Sequence, residues 1–158
     1  MEFDELKDET LRRTHHKDAC IREYKRAAAA KDADELLEVI KANIGWALTS
    51  RMLTAEDIER LFGEALCNAH DIYFRNHQTL RDKASVHFGS STSEHYGSST
   101  SEHYDSSTSV HFDSSTSYCT SAMTAHKLFE QAILRDIHTN ILYIRKDAIN
   151  IIFQEEVE

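Results

Sequence analysis

Four consecutive octapeptides between Val86 and Ser117 decide the fold of this chain: VHFGSSTS (86–93), EHYGSSTS (94–101), EHYDSSTS (102–109) and VHFDSSTS (110–117). A compact globular core needs side chains of varied shape at varied positions, which such a string cannot supply. A strict short period instead predicts near-identical turns of backbone stacked on one another, as in a solenoid. Serine-rich tracts are also typical of flexible linkers, but the β-forming Thr, Val, Phe and Tyr at fixed places favour strands.

The region before the repeats predicts a helical head over residues 1–70. Apolar residues recur there at helical spacing, which indicates three or four short helices. Thr54 followed by Asp57 forms a capping-box pattern at the start of one of them. This head holds the only tryptophan of the chain, Trp46, and most of its conventional apolar packing.

The remainder predicts a β-solenoid over residues 71–121 and a C-terminal cap over residues 122–158. The solenoid begins with a degenerate octapeptide at 81–88, and the cap is predicted to contain a short helix at 122–134 followed by two strands within 138–153. The predicted fold class is therefore α+β: an N-terminal helical subdomain, then a short β-solenoid (β-helix) of eight-residue repeats with C-terminal capping strands.

The octapeptide sequence allows two assignments of the side chains that face the interior of the solenoid. Counted from its Gly or Asp, as in 89–96, the octapeptide begins with a residue that suits a turn. Because eight is even, each strand position keeps its side of the sheet in every repeat. Burial of the unpaired carboxylates of Glu94 and Glu102 costs several kcal/mol, on the order given for uncompensated charges. This favours an interior of serines and histidines and an outer surface of Thr, Glu or Val, and Tyr or Phe. The alternative places the apolar residues of the outer two repeats inside: Val86, Phe88, Val110 and Phe112.

Four histidines share one position of the octapeptide: His87, His95, His103 and His111. Neighbouring coils of a solenoid lie about 4.8 Å apart, so stacked imidazoles could share a metal or respond to pH. Metal sites usually mix ligand types, whereas here serines are the near partners in the same row. The sequence therefore favours a structural histidine ladder, and no metal or other cofactor is predicted.

Composition limits the classes of function. The 158-residue chain has a formal net charge of −9, which disfavours direct binding to nucleic acid or to an anionic membrane surface. Its start, MEFDELKDET, lacks an apolar run, and Cys20, Cys67 and Cys119 show no disulfide or zinc spacing. These features predict a cytoplasmic protein with free thiols. Gly-rich phosphate loops, GxSxG and HExxH are not found in the sequence, which predicts that the protein is not an enzyme.

The octapeptide pattern of turn, small, small, Thr, small, any, small, aromatic resembles the degenerate repeats of uncharacterised proteins from gut Bacteroidetes and their mobile elements. In those proteins a helical region similar to TAEDIERLFGEALCNAHDIYF (54–74) precedes the repeats. HYGSSTSE (95–102) bears a weaker resemblance to the octapeptides of ice-nucleation proteins. Acidic pentapeptide-repeat β-helices that imitate DNA are an analogy at the level of the fold, which is not evidence of function. These resemblances imply no established activity or site.

The small size, the acidity and the resemblance to mobile-element proteins lead to the expectation of a non-enzymatic binding protein. The specific hypothesis is a phage or mobile-element inhibitor of a host defence nuclease, such as an anti-CRISPR protein, that occludes a basic groove. Carboxylates would engage the groove and tyrosines would anchor the contact. The candidate contact residues are Glu94, Tyr96, Glu102, Tyr104, Asp105 and Asp113.

Two alternative functions remain open from the sequence. One is ice binding through rows of Thr and Ser, which the charges of Glu94 and Glu102 disfavour. The other is a structural, self-assembling repeat protein, in which a second copy of the chain forms a homodimer through the solenoid face. Aromatic rows exposed to water usually mark contact surfaces, and they are compatible with a protein partner in either case.

Overall fold

The computed structural model describes residues 2–15, 20–121 and 124–144. The chain forms two compact units that divide between Phe74 and Arg75, the first helical and the second built of β-strands. The predicted α+β class, with a helical region followed by a β-solenoid, is confirmed. We call the two parts the helical unit and the repeat unit.

The described part of the helical unit contains six helices, more than the three or four predicted. Asn43 ends one helix and precedes the next, and Gly63 does the same with a φ of 78°. The predicted capping box is present, because the Thr54 side chain accepts from the Asp57 amide and the Asp57 carboxylate accepts from the Thr54 amide. The helices are α1 Phe3–His15, α2 Ile21–Ala29, α3 Ala33–Ala42, α4 Ile44–Thr49, α5 Ala55–Phe62 and α6 Glu64–Ala69.

Aliphatic side chains form the core of the helical unit. Leu36, Leu37 and Ile40 of α3 are buried together with Ile58 of α5. Cys67 of α6 is also fully buried, and burial raises the pKa of its thiol to about 12. A short strand, β1 Ile72–Tyr73, follows the last helix.

The described part of the repeat unit contains nine strands, which wind into a solenoid. They are β2 His77–Arg81, β3 Ala84–His87, β4 Thr92–Tyr96, β5 Thr100–His103, β6 Thr108–His111, β7 Thr116–Cys119, β8 Ala125–Leu128, β9 Ile133–Asp136 and β10 Ile141–Ile144. Strands β2, β4, β6 and β8 form one parallel sheet, here called the short sheet. Strands β3, β5, β7 and β9 are parallel members of the second, here called the long sheet, where β10 pairs antiparallel with β9.

Each coil of the solenoid contains two octapeptides rather than one. Thr92 pairs with Thr108 in the short sheet, and Thr100 pairs with Thr116 in the long sheet. Identical positions eight residues apart therefore lie on opposite sheets, and positions sixteen apart stack in register. The serine and histidine side chains fill the space between the two sheets, and the other set of side chains points outward.

The Gly and Asp residues that begin the octapeptides form the corners between the sheets. Gly97 and Asp113 have φ values of 66° and 54°, in the left-handed region that favours glycine and also tolerates Asp. The Gly97 amide donates to Asp113 Oδ2 at 2.7 Å, one coil further along. At the opposite corner the Gly89 amide donates to Asp105 Oδ2 at 3.3 Å. Glycine in one coil and Asp in the next thus form a matched pair at each corner.

We expect Gly97→Ala to destabilise the repeat unit by about 1–3 kcal/mol, because it combines left-handed backbone with a steric clash. A Cβ at Gly97 would overlap with Asp82 Oδ1. Urea unfolding measures the loss of free energy. In an Asp82→Gly background the clash is removed, so the same substitution should cost less. An equal cost in both backgrounds would contradict the steric explanation.

The predicted helix at 122–134 is wrong for the residues described from 124 onward. Strands β8 and β9 lie there and continue the two sheets, with Ala125 beside Thr108 and Ile133 beside Thr116. Both pairings have a spacing of seventeen residues, because one residue is added between β7 and β8. Two strands were predicted within 138–153. Strand β10 lies where the first was predicted, and the second falls largely on 145–153, outside the described residues.

Candidate binding face and histidine column

The interior of the solenoid consists of small serines and flat imidazoles. Burial distinguishes the two assignments left open by the sequence: His87, His95, His103 and His111 are fully buried, whereas Glu94 and Glu102 are only partly covered. The serine and histidine assignment is therefore the one adopted. Val86 of β3 and Phe88, the residue after β3, are also buried, although both belong to the outward-facing set of the octapeptide.

A serine two residues earlier on the same strand contacts each histidine of the repeats. Ser93 Oγ lies 2.9 Å from His95 Nε2, and Ser101 Oγ lies 3.1 Å from His103 Nε2. His103 Nδ1 also lies 3.1 Å from the Oγ of Ser107, the residue just before β6. Residues two positions apart lie on the same side of a strand. The Ser and His side chains of the sequence Ser-x-His can therefore form a hydrogen bond with each other.

The four histidines form two interleaved rows and not the single row expected from their spacing. His87 stacks on His103, and His95 stacks on His111, each with ring centroids 4.7 Å apart. Between the rows the rings meet edge to face, with the centroids of His95 and His103 5.7 Å apart. Two rows arise because each coil contributes one histidine from each sheet. We call this array, together with His126, the histidine column.

Burial keeps the column imidazoles neutral. Desolvation lowers the pKa of His87 to about 3 and that of His95 to about 4, with neighbouring imidazoles adding to the effect. Desolvation likewise lowers the pKa of His103 well below its usual range and that of His111 to about 2. Uncharged rings can stack at van der Waals distance, whereas charged ones would repel one another in a medium of low polarity.

The outer side of the short sheet has an aromatic row among polar residues, and we call it the short-sheet face. Tyr96, Phe112 and Phe129 stack with centroid separations of 4.7 and 5.0 Å. The Arg81 guanidinium lies 5.3 Å from the centroid of the Tyr96 ring and extends the row. Phe129 is 40% exposed, which is high for a ring of this size.

The six candidate contact residues do not form one patch. Glu94 and Tyr96 lie on the short-sheet face, whereas Glu102 and Tyr104 lie on the outer side of the long sheet, because the two octapeptides of one coil occupy opposite sheets. On each side the tyrosine hydroxyl donates to the glutamate two residues earlier, at 3.0 Å for Tyr96 and 2.7 Å for Tyr104. Burial, followed by the Glu102 carboxylate, raises the pKa of Tyr104.

The other two candidates, Asp105 and Asp113, belong to the corners. Their carboxylates accept backbone hydrogen bonds from Gly89 and Gly97, so their first role is structural. Asp82 does the same for the Ser98 amide, and this hydrogen bond holds the pKa of the Asp82 carboxyl below its usual range.

Two residues that the sequence interpretation missed belong to these sites. Phe129 completes the aromatic row, and the signal for it was an aromatic residue seventeen positions after Phe112. His126 lies beside Ser109 in β8, at a serine position of the repeat, and no octapeptide pattern predicts a histidine there.

Comparisons with known proteins add no relative. No protein-family model matches the chain, and neither the curated proteins nor the solved structures contain a significant match. Among the described residues, none of the helices is sufficiently long and apolar to cross a bilayer.

Proposed function

We propose that this chain is a non-enzymatic binding protein that occludes a partner protein with its short-sheet face. The observation that supports this proposal is the stacked row of Tyr96, Phe112 and Phe129, held on a rigid sheet beside polar residues. Aromatic residues are enriched in the centres of protein interfaces, and a row that is already ordered loses little entropy on binding.

The partner class we propose is a basic protein, and specifically a nuclease of a host defence system inhibited by a phage or mobile-element protein. The net charge of −9 favours association with a basic surface and disfavours nucleic acid itself as the ligand. Glu94 supplies a carboxylate next to the aromatic row, whereas Arg81 and Lys127 add two positive charges to the face, so the attraction to a basic partner comes from the chain as a whole. Glu102 and Tyr104 would contribute only to a partner that also reaches the outer side of the long sheet.

The octapeptides offer a matched pair of variants for a test. Thr108 lies on the short-sheet face between Thr92 and Ala125, and Thr100 holds the same repeat position on the opposite sheet. We expect Thr108→Arg to weaken binding of a basic partner at least about tenfold, through steric obstruction and like charge, and Thr100→Arg to leave binding nearly unchanged.

Both variants are compared with the wild type for capture of proteins from a bacterial lysate, followed by affinity measurement on the purified partner. Inhibition of the partner's nuclease activity by the wild type and not by Thr108→Arg would support occlusion. Equal binding by the two variants, or capture of acidic proteins only, would contradict this assignment of the face.

The two alternatives have weaker structural support. Ice binding relies on regular threonine rows, and within the repeats each sheet stacks two threonines in register, Thr92 with Thr108 and Thr100 with Thr116. Self-assembly relies on exposed sheet edges, of which β8 at the end of the short sheet is one. Thermal hysteresis of an ice–water mixture would favour the first, and concentration-dependent light scattering without partner capture would favour the second.

A further inference from the structure

His126 is placed in the interior by the register of the last strand of the short sheet. In β8 it lies beside Ser109 of β6, and Leu128 takes the place beside His111. Its imidazole therefore enters the column from a serine position. The ring meets His103 edge to face at 5.0 Å and His111 in a tilted arrangement at 5.9 Å. Three imidazoles from three different strands thus converge at this end of the column.

The spacing of these three rings is close to that of a metal site. One ligand nitrogen from each of His103, His111 and His126 lies within 4.8 Å of the others. Three nitrogens bound to a tetrahedral ion at about 2.0–2.1 Å are about 3.3 Å apart. Each ring would therefore need to move by only about 1 Å to share an ion, a displacement available to rotating side chains.

The chemical state of the rings suits metal ligation. His126 Nε2 is buried and has no hydrogen-bond partner, whereas its Nδ1 lies 2.6 Å from Ser109 Oγ. Burial lowers the pKa of His126 to about 4, so the ring has a lone pair available at neutral pH. Ser101 and Ser109 contact the rings of His103 and His111, and outer hydrogen bonds of this kind orient ligating imidazoles.

We propose that His103, His111 and His126 form a binding site for a divalent late transition metal such as Zn²⁺ or Cu²⁺. Imidazole is a preferred ligand of these ions, and three protein ligands leave a fourth position for a small molecule. A groove of about 430 Å³ on the short-sheet face is lined by His126 together with Thr108, Ser109 and Lys127, so it reaches one of the three ligands. The three ligands are not among the residues proposed to contact a partner, although the groove beside His126 opens on the short-sheet face.

A second cluster of three histidines, formed by His87, His95 and His103, is a less suitable site. Its ligand nitrogens also lie within 4.8 Å of one another, but all three residues are fully buried between coils. His126 of the first cluster is only partly buried and lines the groove, whereas no member of the second cluster lines it. Access therefore favours the cluster at the end of the column.

The test uses chelator-treated protein at about pH 7.5, titrated with Zn²⁺ by calorimetry and with Co²⁺ by visible absorption. We expect one ion per chain and the strong absorption of tetrahedral Co²⁺ in the wild type. His126→Ala should weaken binding at least about 100-fold, since even outer-shell substitutions cost 10–100-fold. His138→Ala is the matched control, because His138 is exposed after β9, and it should bind like the wild type.

His126→Cys is a second variant, and its expected result is a new signal instead of a loss of binding. A thiolate is also a ligand of these ions, so this variant should retain Co²⁺ and add a thiolate-to-cobalt charge-transfer band. Circular dichroism checks that each variant retains the β-sheet of the wild type. Absence of stoichiometric binding in the wild type, equal affinities of His126→Ala and His138→Ala, or His126→Cys without the new band would overturn the proposal.

Discussion

Lowering the pH of the metal-free protein from about 7.5 to about 5.5 is expected to remove much of the folding free energy of the repeat unit. In the folded state the pKa of His87 is lowered to about 3, that of His95 to about 4 and that of His111 to about 2, and His103 is lowered as well. The unfolded chain has ordinary imidazoles with pKa values of about 6.5 and takes up protons first. Stability is therefore complete above about pH 6.5 and falls continuously below it.

The size of this effect follows from proton linkage. At about pH 5.5, one unit below the unfolded pKa, each buried imidazole that stays neutral costs about 1.4 kcal/mol of unfolding free energy. The five imidazoles of the column, including His126 with its pKa lowered to about 4, together cost about 7 kcal/mol, which is comparable with the whole stability of a typical domain, about 5–15 kcal/mol. The buried residues of the described repeat unit include no Asp or Glu that could compensate by pairing with a charged imidazole.

Urea unfolding followed by far-ultraviolet circular dichroism at several pH values measures this loss, with a chelator present throughout. Replacement of one column ring, as in His95→Gln, should remove about a fifth of the pH dependence, and His138→Gln at an exposed position is the matched control. Carboxylates titrate mainly below about pH 4.5, so the window separates them from the histidines. An unfolding free energy that is unchanged between about pH 7.5 and 5.5 would refute the explanation.

The inward-facing set of side chains could be predicted from the sequence because it depends on local chemistry. An even period preserves the parity of the strand, and the carboxylates of Glu94 and Glu102 disfavour the opposite assignment. The corners were predictable for the same reason, since Gly and Asp are residues that tolerate left-handed backbone. Each of these inferences uses interactions within a single octapeptide.

The number of octapeptides in one coil could not be predicted, because coils of eight or sixteen residues have the same parity. One clue was present: Gly89 and Gly97 are followed sixteen residues later by Asp105 and Asp113, and these are the pairs that form hydrogen bonds at the corners. Because this clue was missed, the four histidines were predicted to form one row and the two glutamates to lie on one side of the solenoid.

The last coil was misread because its apolar spacing fits a helix. Leu128, Phe129, Ala132 and Ile133 recur at intervals of one, three and four residues, which is also the helical pattern. In the structure the same residues follow the two sheets, since pairing with β6 and β7 supplies the backbone hydrogen bonds of both strands. Pairing with a preceding coil is a non-local interaction, which a local period does not report.

His103→Ala is expected to destabilise the repeat unit by about 3–5 kcal/mol, the range for truncation of a large buried ring. The His103 ring is fully buried and stacks on His87 with a centroid separation of 4.7 Å. Its removal leaves a cavity that the rigid coils cannot close. It also removes a contact from both Ser101 and Ser107, and an unsatisfied buried polar group costs about 1–3 kcal/mol.

Thr100→Ala is the matched control for this variant, because Thr100 begins the same strand and its side chain is exposed. It should change the free energy of unfolding by less than about 0.5 kcal/mol, as is usual for surface substitutions. Urea unfolding at about pH 7.5 compares the two variants, and His103→Ala should also show a shallower pH dependence than the wild type. If His103→Ala were as stable as Thr100→Ala, the imidazoles would not be packing elements of the interior, and the column could not be the structural centre of the solenoid.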